Sequence, residues 1–313
     1  MSKKENNVGA ISTSPEITGH TEMSPTAVAA ISNRQTAKPQ MNSLIGWVGG
    51  KKNLRKYILP MIPKHDLYCE VFGGAGWVLF GKSPDKDEWR IDKKVRYGEI
   101  YNDINSELVN FWKYIKHHPN AFVTELNEYI VSREIWDDFV GKSTITEIQR
   151  AIRFYYLLTM SYGSMSGHFC CKSGGVETLP LKNLDIVQKA TERLKNVTIE
   201  CLDFERLITK YDSENTFFYL DPPYYQKEDL YTSHETPAFD GHERLAEILK
   251  NIKGKFLLSY NDCEYVRELY RSGDFQSPNK KDIIIETVET KYTLAGNGRD
   301  RNITTELLVR NYD

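Results

Sequence analysis

Thr216-Phe217-Phe218-Tyr219-Leu220-Asp221-Pro222-Pro223-Tyr224 is an apolar run that stops on a carboxylate and two prolines. A short apolar run bounded by turn residues reads as a buried strand. A residue preceding proline is pushed into extended backbone, and each proline ring fixes its own φ at about −65° and removes an N–H. The Asp221 carboxylate and the Pro222 carbonyl are therefore held in fixed directions at a strand tip, with few donors nearby to compete. A plain turn or linker is the competing reading, and the surrounding sequence decides between them.

Outward from this stretch, short apolar runs alternate with helical periodicity. Strands are expected over 67–72, 98–102, 197–202, 217–221, 255–260, 282–291 and 304–311, and helices over 52–61, 105–117, 145–160, 183–195, 241–252 and 263–271. Strands separated by helices imply an α/β fold with a mostly parallel sheet covered on both faces. Only the Gly-rich stretch 292–303 separates the last two strands, which suits a hairpin, so an antiparallel strand is expected to close the sheet edge. Residues 112–196 interrupt the alternation, helical at both ends around an aromatic, Gly/Ser-rich centre, and read as an inserted, mainly helical subdomain. Residues 1–40 are rich in Ser, Thr, Asn, Pro and Ala without apolar periodicity, and read as a disordered extension. That leaves 41–111 and 197–313 as the sheet domain.

Length and composition set outer bounds. The chain has 313 residues, 40% hydrophobic and 27% charged, as in ordinary globular proteins. No apolar run reaches membrane-spanning length and the N-terminus lacks a signal-peptide core, so a cytoplasmic location without membrane contact is expected. A net charge of −2 speaks against a surface coated in positive charge, while leaving room for local basic patches. Candidate patches are Lys51/Lys52/Arg55/Lys56, Lys93/Lys94/Arg96, Lys280/Lys281 and Arg299/Arg301, each read singly as a solvated face. Cys69, Cys170, Cys171, Cys201 and Cys263 show no Cys-x-x-Cys pairing and the histidines no ligand spacing, so neither a disulfide nor a metal site is expected.

Four further segments carry polar groups to strand ends. Glu70-Val71-Phe72-Gly73-Gly74-Ala75-Gly76 follows the first strand, where Gly74 and Gly76 allow a tight turn and close approach to a ligand. It departs from the dinucleotide fingerprint, because Leu79 stands where the third glycine belongs. Tyr101-Asn102-Asp103-Ile104-Asn105 ends the second strand; one acidic residue there suits ribose hydroxyls, and Asp103 or Asn105 suits a helix cap. Cys201-Leu202-Asp203-Phe204 ends the third: Asp203 either caps a helix or accepts from an adenine amine, with Phe204 stacking nearby. Gly46-Trp47-Val48-Gly49-Gly50-Lys51 opens the folded part; Ile45 and Lys52 exclude a phosphate-binding P-loop, leaving a surface loop or a cofactor contact through Trp47 and Lys51.

Taken in order, these segments resemble the Dam-type (alpha-class) DNA adenine-N6 methyltransferases. The resemblance runs from about residue 44 to 312. Residues 46–51 are similar to the family's N-terminal cofactor motif, 70–76 to its F-x-G-x-G motif, 102–105 to its acidic motif and 221–224 to its catalytic motif. Residues 256–261 resemble the strand that follows. The resemblance implies a Rossmann-like seven-stranded methyltransferase sheet with a target-recognition subdomain inserted before the third strand. It implies S-adenosyl-L-methionine as cofactor, contacted by Trp47, Lys51, Phe72, Gly74, Gly76, Asp103, Asp203, Phe204 and Asp221, and catalysis by Asp221, Pro222, Pro223 and Tyr224. The partner it implies is double-stranded DNA presenting a flipped adenine, and a cognate restriction endonuclease is a partner the family allows.

Adenine N6 is a poor nucleophile, because its lone pair is delocalised into the ring. Acceptors at Asp221 and the Pro222 carbonyl would favour a pyramidal amine, and Tyr224 would stack on the base. Arg150, Arg153 and the stretch 162–175 with Lys172 are expected to approach DNA, whereas Phe154, Tyr155 and Tyr156 read as core. The charged insertion 82–96 and the segment 160–168, which lacks an Asn/Arg pattern, depart from relatives and leave the target site open. Cytosine-N4 or RNA amino-methyl transfer on the same fold, and a non-catalytic DNA-binding regulator, are the competing functions.

Overall fold

A computed structural model of the chain describes residues 29–30, 36–47, 49–141, 146–161, 168–170, 179–228, 239–271, 282–291 and 303–313. Its sheet contains β1 (Leu67–Glu70), β2 (Gly98–Asn102), β3 (Val197–Glu200), β4 (Thr216–Leu220), β5 (Lys255–Asn261), β6 (Ile284–Lys291) and β7 (Ile303–Arg310). The strand order is β6-β7-β5-β4-β1-β2-β3, with the two-residue strand Ala29–Ala30 added beyond β6. This is a mostly parallel, Rossmann-like sheet.

Period-two alternation along the strands produces the two covered faces. Tyr68, Phe217, Tyr219 and Leu257 pack into one core with helices α1 (Arg55–Ile58), α2 (Trp77–Gly81) and α3 (Ser106–His117). The same core takes side chains from α4 (Pro119–Asn127), α5 (Arg133–Gly141), α6 (Glu147–Thr159) and α7 (Leu184–Leu194). Cys69, Phe218, Leu220, Phe256 and Leu258 point the other way, onto α8 (Phe204–Tyr211), α9 (His242–Lys250) and α10 (Glu264–Leu269). The stretch 112–196 thus shares a continuous core with one face of the sheet. Tyr155 and Tyr156 are buried within it, in line with their reading as core.

Two expectations need correction. The antiparallel strand does not close the edge: β7 is inserted between β5 and β6 and runs antiparallel to both. Beyond it lie β6, which runs in the direction of the parallel strands, and the two-residue strand Ala29–Ala30. Order also begins before residue 41, since backbone bonds tie Ala37 to Lys56, Gln40 to Gly81 and Met41 to Phe80. Arg150 and Arg153 are half-buried and bonded within the helical layer. Arg150 Nε donates to Glu107 Oε1 at 2.8 Å, joining α6 to α3, and Arg153 Nε donates to the Phe139 carbonyl at 2.6 Å. The expected DNA-facing loop at 162–167 and 171–175, and Lys172 with it, lie outside the described residues. So do Cys171, Lys280, Lys281, Arg299, Arg301 and the connection 292–302.

The charged insertion 82–96 folds over the amino end of the sheet. Asp66, just before β1, accepts from the Ile91 and Asp92 N–H groups at 3.0 and 3.3 Å. Beneath it, Glu99 accepts from Lys82 Nζ at 3.0 Å and from Arg193 Nη1 at 2.6 Å, all three side chains being buried. Lys82 is also ringed by Tyr68, Trp89 and Tyr97, and burial lowers its ammonium to about 8. Removing one partner of such a network strands a charge in a poorly solvated place. Arg193→Ala is expected to lower the unfolding free energy by about 3 kcal/mol in urea titrations. A loss below about 1 kcal/mol would mean that water reaches and solvates Glu99.

Candidate active site

The order of strands reverses between β1 and β4, and ligands of open α/β sheets bind at the carboxyl ends flanking such a point. A cavity of about 350 Å³ lies there. Trp47, Lys51, Phe72, Gly74, Asp103, Asp203, Phe204, Asp221 and Pro223 all line it. Gly76, Pro222 and Tyr224 do not. Gly76 serves the backbone instead: it takes φ +68° as α2 begins, and a Cβ there would meet the Phe80 ring at 3.1 Å.

The glycine turn is built against its neighbours. Gly74 has φ +49°, and a Cβ would lie 2.9 Å from Trp47 Cδ1. Its N–H donates to Asp103 Oδ2 at 2.9 Å, while Asp103 Oδ1 accepts from Asn105 N–H at 2.9 Å. The two readings of this segment separate accordingly. Asn105 caps α3, accepting from Glu107 and Leu108 N–H, and Asp103 faces the cavity. Burial raises the Asp103 carboxyl, and the backbone N–H bonds pull it back. Asp203 is a cap, accepting from Glu205 N–H at 3.0 Å, and still lines the cavity. Beside it Phe204 packs on Phe72 and Phe239 with ring centroids 5.7 and 5.8 Å apart, forming an apolar end to the cavity.

The polar end is built on Asp221. Lys51 Nζ lies 2.7 Å from Asp221 Oδ1, and Ser259 Oγ donates to the same oxygen at 3.0 Å. Burial raises the Asp221 carboxyl and Lys51 opposes that shift. The Lys51 ammonium also sits 4.6 Å from the centroid of the Tyr224 ring. That ring is only 5% exposed, and its hydroxyl donates to Glu306 Oε2 at 2.6 Å. Stacking of a base on Tyr224 therefore requires the groups over the ring, Lys51 among them, to withdraw.

The family model described as D12 class N6 adenine-specific DNA methyltransferase matches residues 47–285. The chain belongs to this methyltransferase family. It is 26% identical over 301 residues to the Type II methyltransferase M1.LlaDCHI of Lactococcus lactis subsp. cremoris, covering 89% of this chain and 98% of that one. It is likewise 26% identical to the Type II methyltransferase M.MjaIII of Methanocaldococcus jannaschii, with 87% and 100% covered. To the DNA adenine methylase of Vibrio cholerae it is 24% identical, with 86% and 96% covered. Families of this kind draw on a methyl donor of the S-adenosylmethionine type and act on DNA. Among the described residues of the methyltransferase, no helix is long and apolar enough to cross a membrane and no His/Cys/Asp/Glu cluster is arranged to hold a metal.

The methyltransferase also lines its cavity with residues to which the sequence reading gave no role: Glu70, Trp77, Tyr219, Phe239 and Arg244. Tyr219 was legible, since it shares a strand face with Asp221. Phe239 and Arg244 follow a stretch without periodicity and carried no signal. Glu70, at the end of β1, is 2% exposed and its Oε2 accepts from Tyr68 Oη and Leu79 N–H, each at 2.8 Å.

Burial pushes the Glu70 carboxyl from the ordinary 4.5 up to about 8. Across that window the unfolded chain has already lost a proton that the folded chain keeps. The associated stability is full below the lower value and lost as pH rises through the upper one. Glu70→Gln keeps an acceptor for both donors. Its melting temperature relative to the parent is expected to climb from about pH 5 to about pH 8. A difference that stays flat with pH would show that Glu70 ionises normally.

Proposed function

We propose that this methyltransferase transfers a methyl group from S-adenosyl-L-methionine to the N6 of an adenine flipped out of double-stranded DNA, with Asp221 as the central acceptor. The observation that carries the reading is the juxtaposition of Asp221 and Asp103 in one cavity with an aromatic cluster between the ends of β1, β2 and β4. The donor set suits the cofactor: Asp103 for ribose hydroxyls, Phe72, Phe204 and Phe239 for an adenine ring, and Trp47 and Lys51 at the glycine turn. When bound, S-adenosylmethionine supplies an electrophilic methyl on a sulfonium.

Asp221 holds an amine where positive charge develops, accepting one N6–H while the Pro222 carbonyl accepts the other. Lys51, a cation bonded to Asp221 and lying over Tyr224, stands where this reading puts that amine. A fixed ammonium there would repel the positive charge growing on N6. The arriving base therefore exchanges with Lys51 at the carboxylate and gains the Tyr224 face as the lysine leaves. Opening the duplex costs a few kcal/mol, and stacking on an aromatic returns about 1–3 kcal/mol of it. Residues 112–196 are the part of the chain we assign to target recognition. A cognate restriction endonuclease is a partner that this reading allows.

The test uses radiolabelled S-adenosylmethionine, mixed-sequence duplex DNA and nucleoside analysis. Label is expected in N6-methyladenine, and Asp221→Ala is expected to reduce its incorporation by about 100-fold or more. Label in N4-methylcytosine, label in RNA, or DNA binding with no transfer would each replace this reading.

A further inference from the structure

We propose that Asn261 and Glu306, a cross-strand pair on β5 and β7, set the position of the 221–225 corner and are positioning residues for methyl transfer. The proposal rests on the reading of Asp221 given above and adds to it the groups that aim the corner.

The corner cannot be held by the sheet itself. The register of β4 on β5 ends at Leu220 opposite Leu258, and Pro222 and Pro223 have no N–H to extend a ladder. Side chains take over where the ladder stops. Asn261 Oδ1 accepts from the Tyr225 N–H at 3.1 Å, and Asn261 Nδ2 donates to the Tyr225 carbonyl at 3.3 Å. One amide thus satisfies both backbone groups of one residue, as a neighbouring strand would. Its cross-strand partner Glu306, 1% exposed, accepts the Tyr224 hydroxyl at 2.6 Å.

These bonds hold the far end of the Tyr224 ring and the backbone immediately after it. The adjoining turn is equally restrained. The Tyr225 ring stacks on Tyr265 with centroids 4.1 Å apart, and Gln226 takes φ +59°, a left-handed value unusual for a side chain of its kind. Glu228 then accepts from the Gln226 N–H and pairs with His242. All three bonds from the cross-strand pair originate on regular strands, so the corner inherits their rigidity.

The full-length chain is assayed with radiolabelled S-adenosylmethionine and duplex DNA, with kcat and cofactor KM measured separately. Asn261→Ala is expected to lower kcat by about tenfold or more, while cofactor KM stays within about threefold. Tyr224→Phe, which removes only the hydroxyl, should lower kcat in the same direction. In the Tyr224→Phe background, Glu306→Ala should cost no further activity, whereas Glu306→Gln in the parent, which keeps an acceptor, should restore most of what Glu306→Ala loses. Should Glu306→Ala fail to fold, Asn261→Ala and Tyr224→Phe still decide. The proposal is overturned if both of those keep kcat within about threefold of the parent and differ only in melting temperature. Asp221→Ala, run alongside, separates the two levels: its inactivity in that event preserves the functional reading, and its activity would remove that reading instead.

Discussion

The parallel pairing of β1 with β4 is the constraint on which the site depends. Its register sets Glu70 opposite Tyr219, so the two chain segments leave the sheet side by side. One continues into the glycine turn and the other into Asp221 and its prolines. Residues separated by some 150 positions in the chain (Glu70 and Asp221) become walls of one cavity. Pairing of β1 with β2 then brings in Asp103, whose carboxylate is bonded to the Gly74 N–H.

Electrostatics at this junction is arranged around a shortage of water. Asp221, Glu306 and Glu70 are carboxyl groups whose affinity for protons is raised by burial, and Lys51 opposes that shift at the first two. A buried carboxylate without a compensating donor is costly. The site therefore favours a cation or a proton-bearing amine close to Asp221 whichever state it is in. The same logic runs at the opposite end of the sheet, where buried Glu99 is compensated by the buried Lys82 and Arg193.

Much of this organisation was legible in the sequence because it rests on local signals. Apolar runs marked the strands, and Gly74 and Asp221 marked two strand ends through backbone chemistry that any chain obeys. What failed was long-range. The place of β7 between β5 and β6 depends on pairing partners that periodicity does not name. Nothing local announces that Glu107 and the Phe139 carbonyl will meet Arg150 and Arg153. Tyr224 showed its aromatic face in the sequence and hid its hydroxyl bond to Glu306, 82 positions away. Short-range grammar gave the framework, and the contacts that tune it come from tertiary closure.

Because β7 follows every other strand of the sheet in the chain yet lies inside it, the sheet is finished from within rather than at its rim. On a growing polypeptide, β1 to β5 can pair and the cavity walls can meet while Tyr224 still lacks its anchor. A chain without β7 would therefore hold a pocket with a loosely aimed corner.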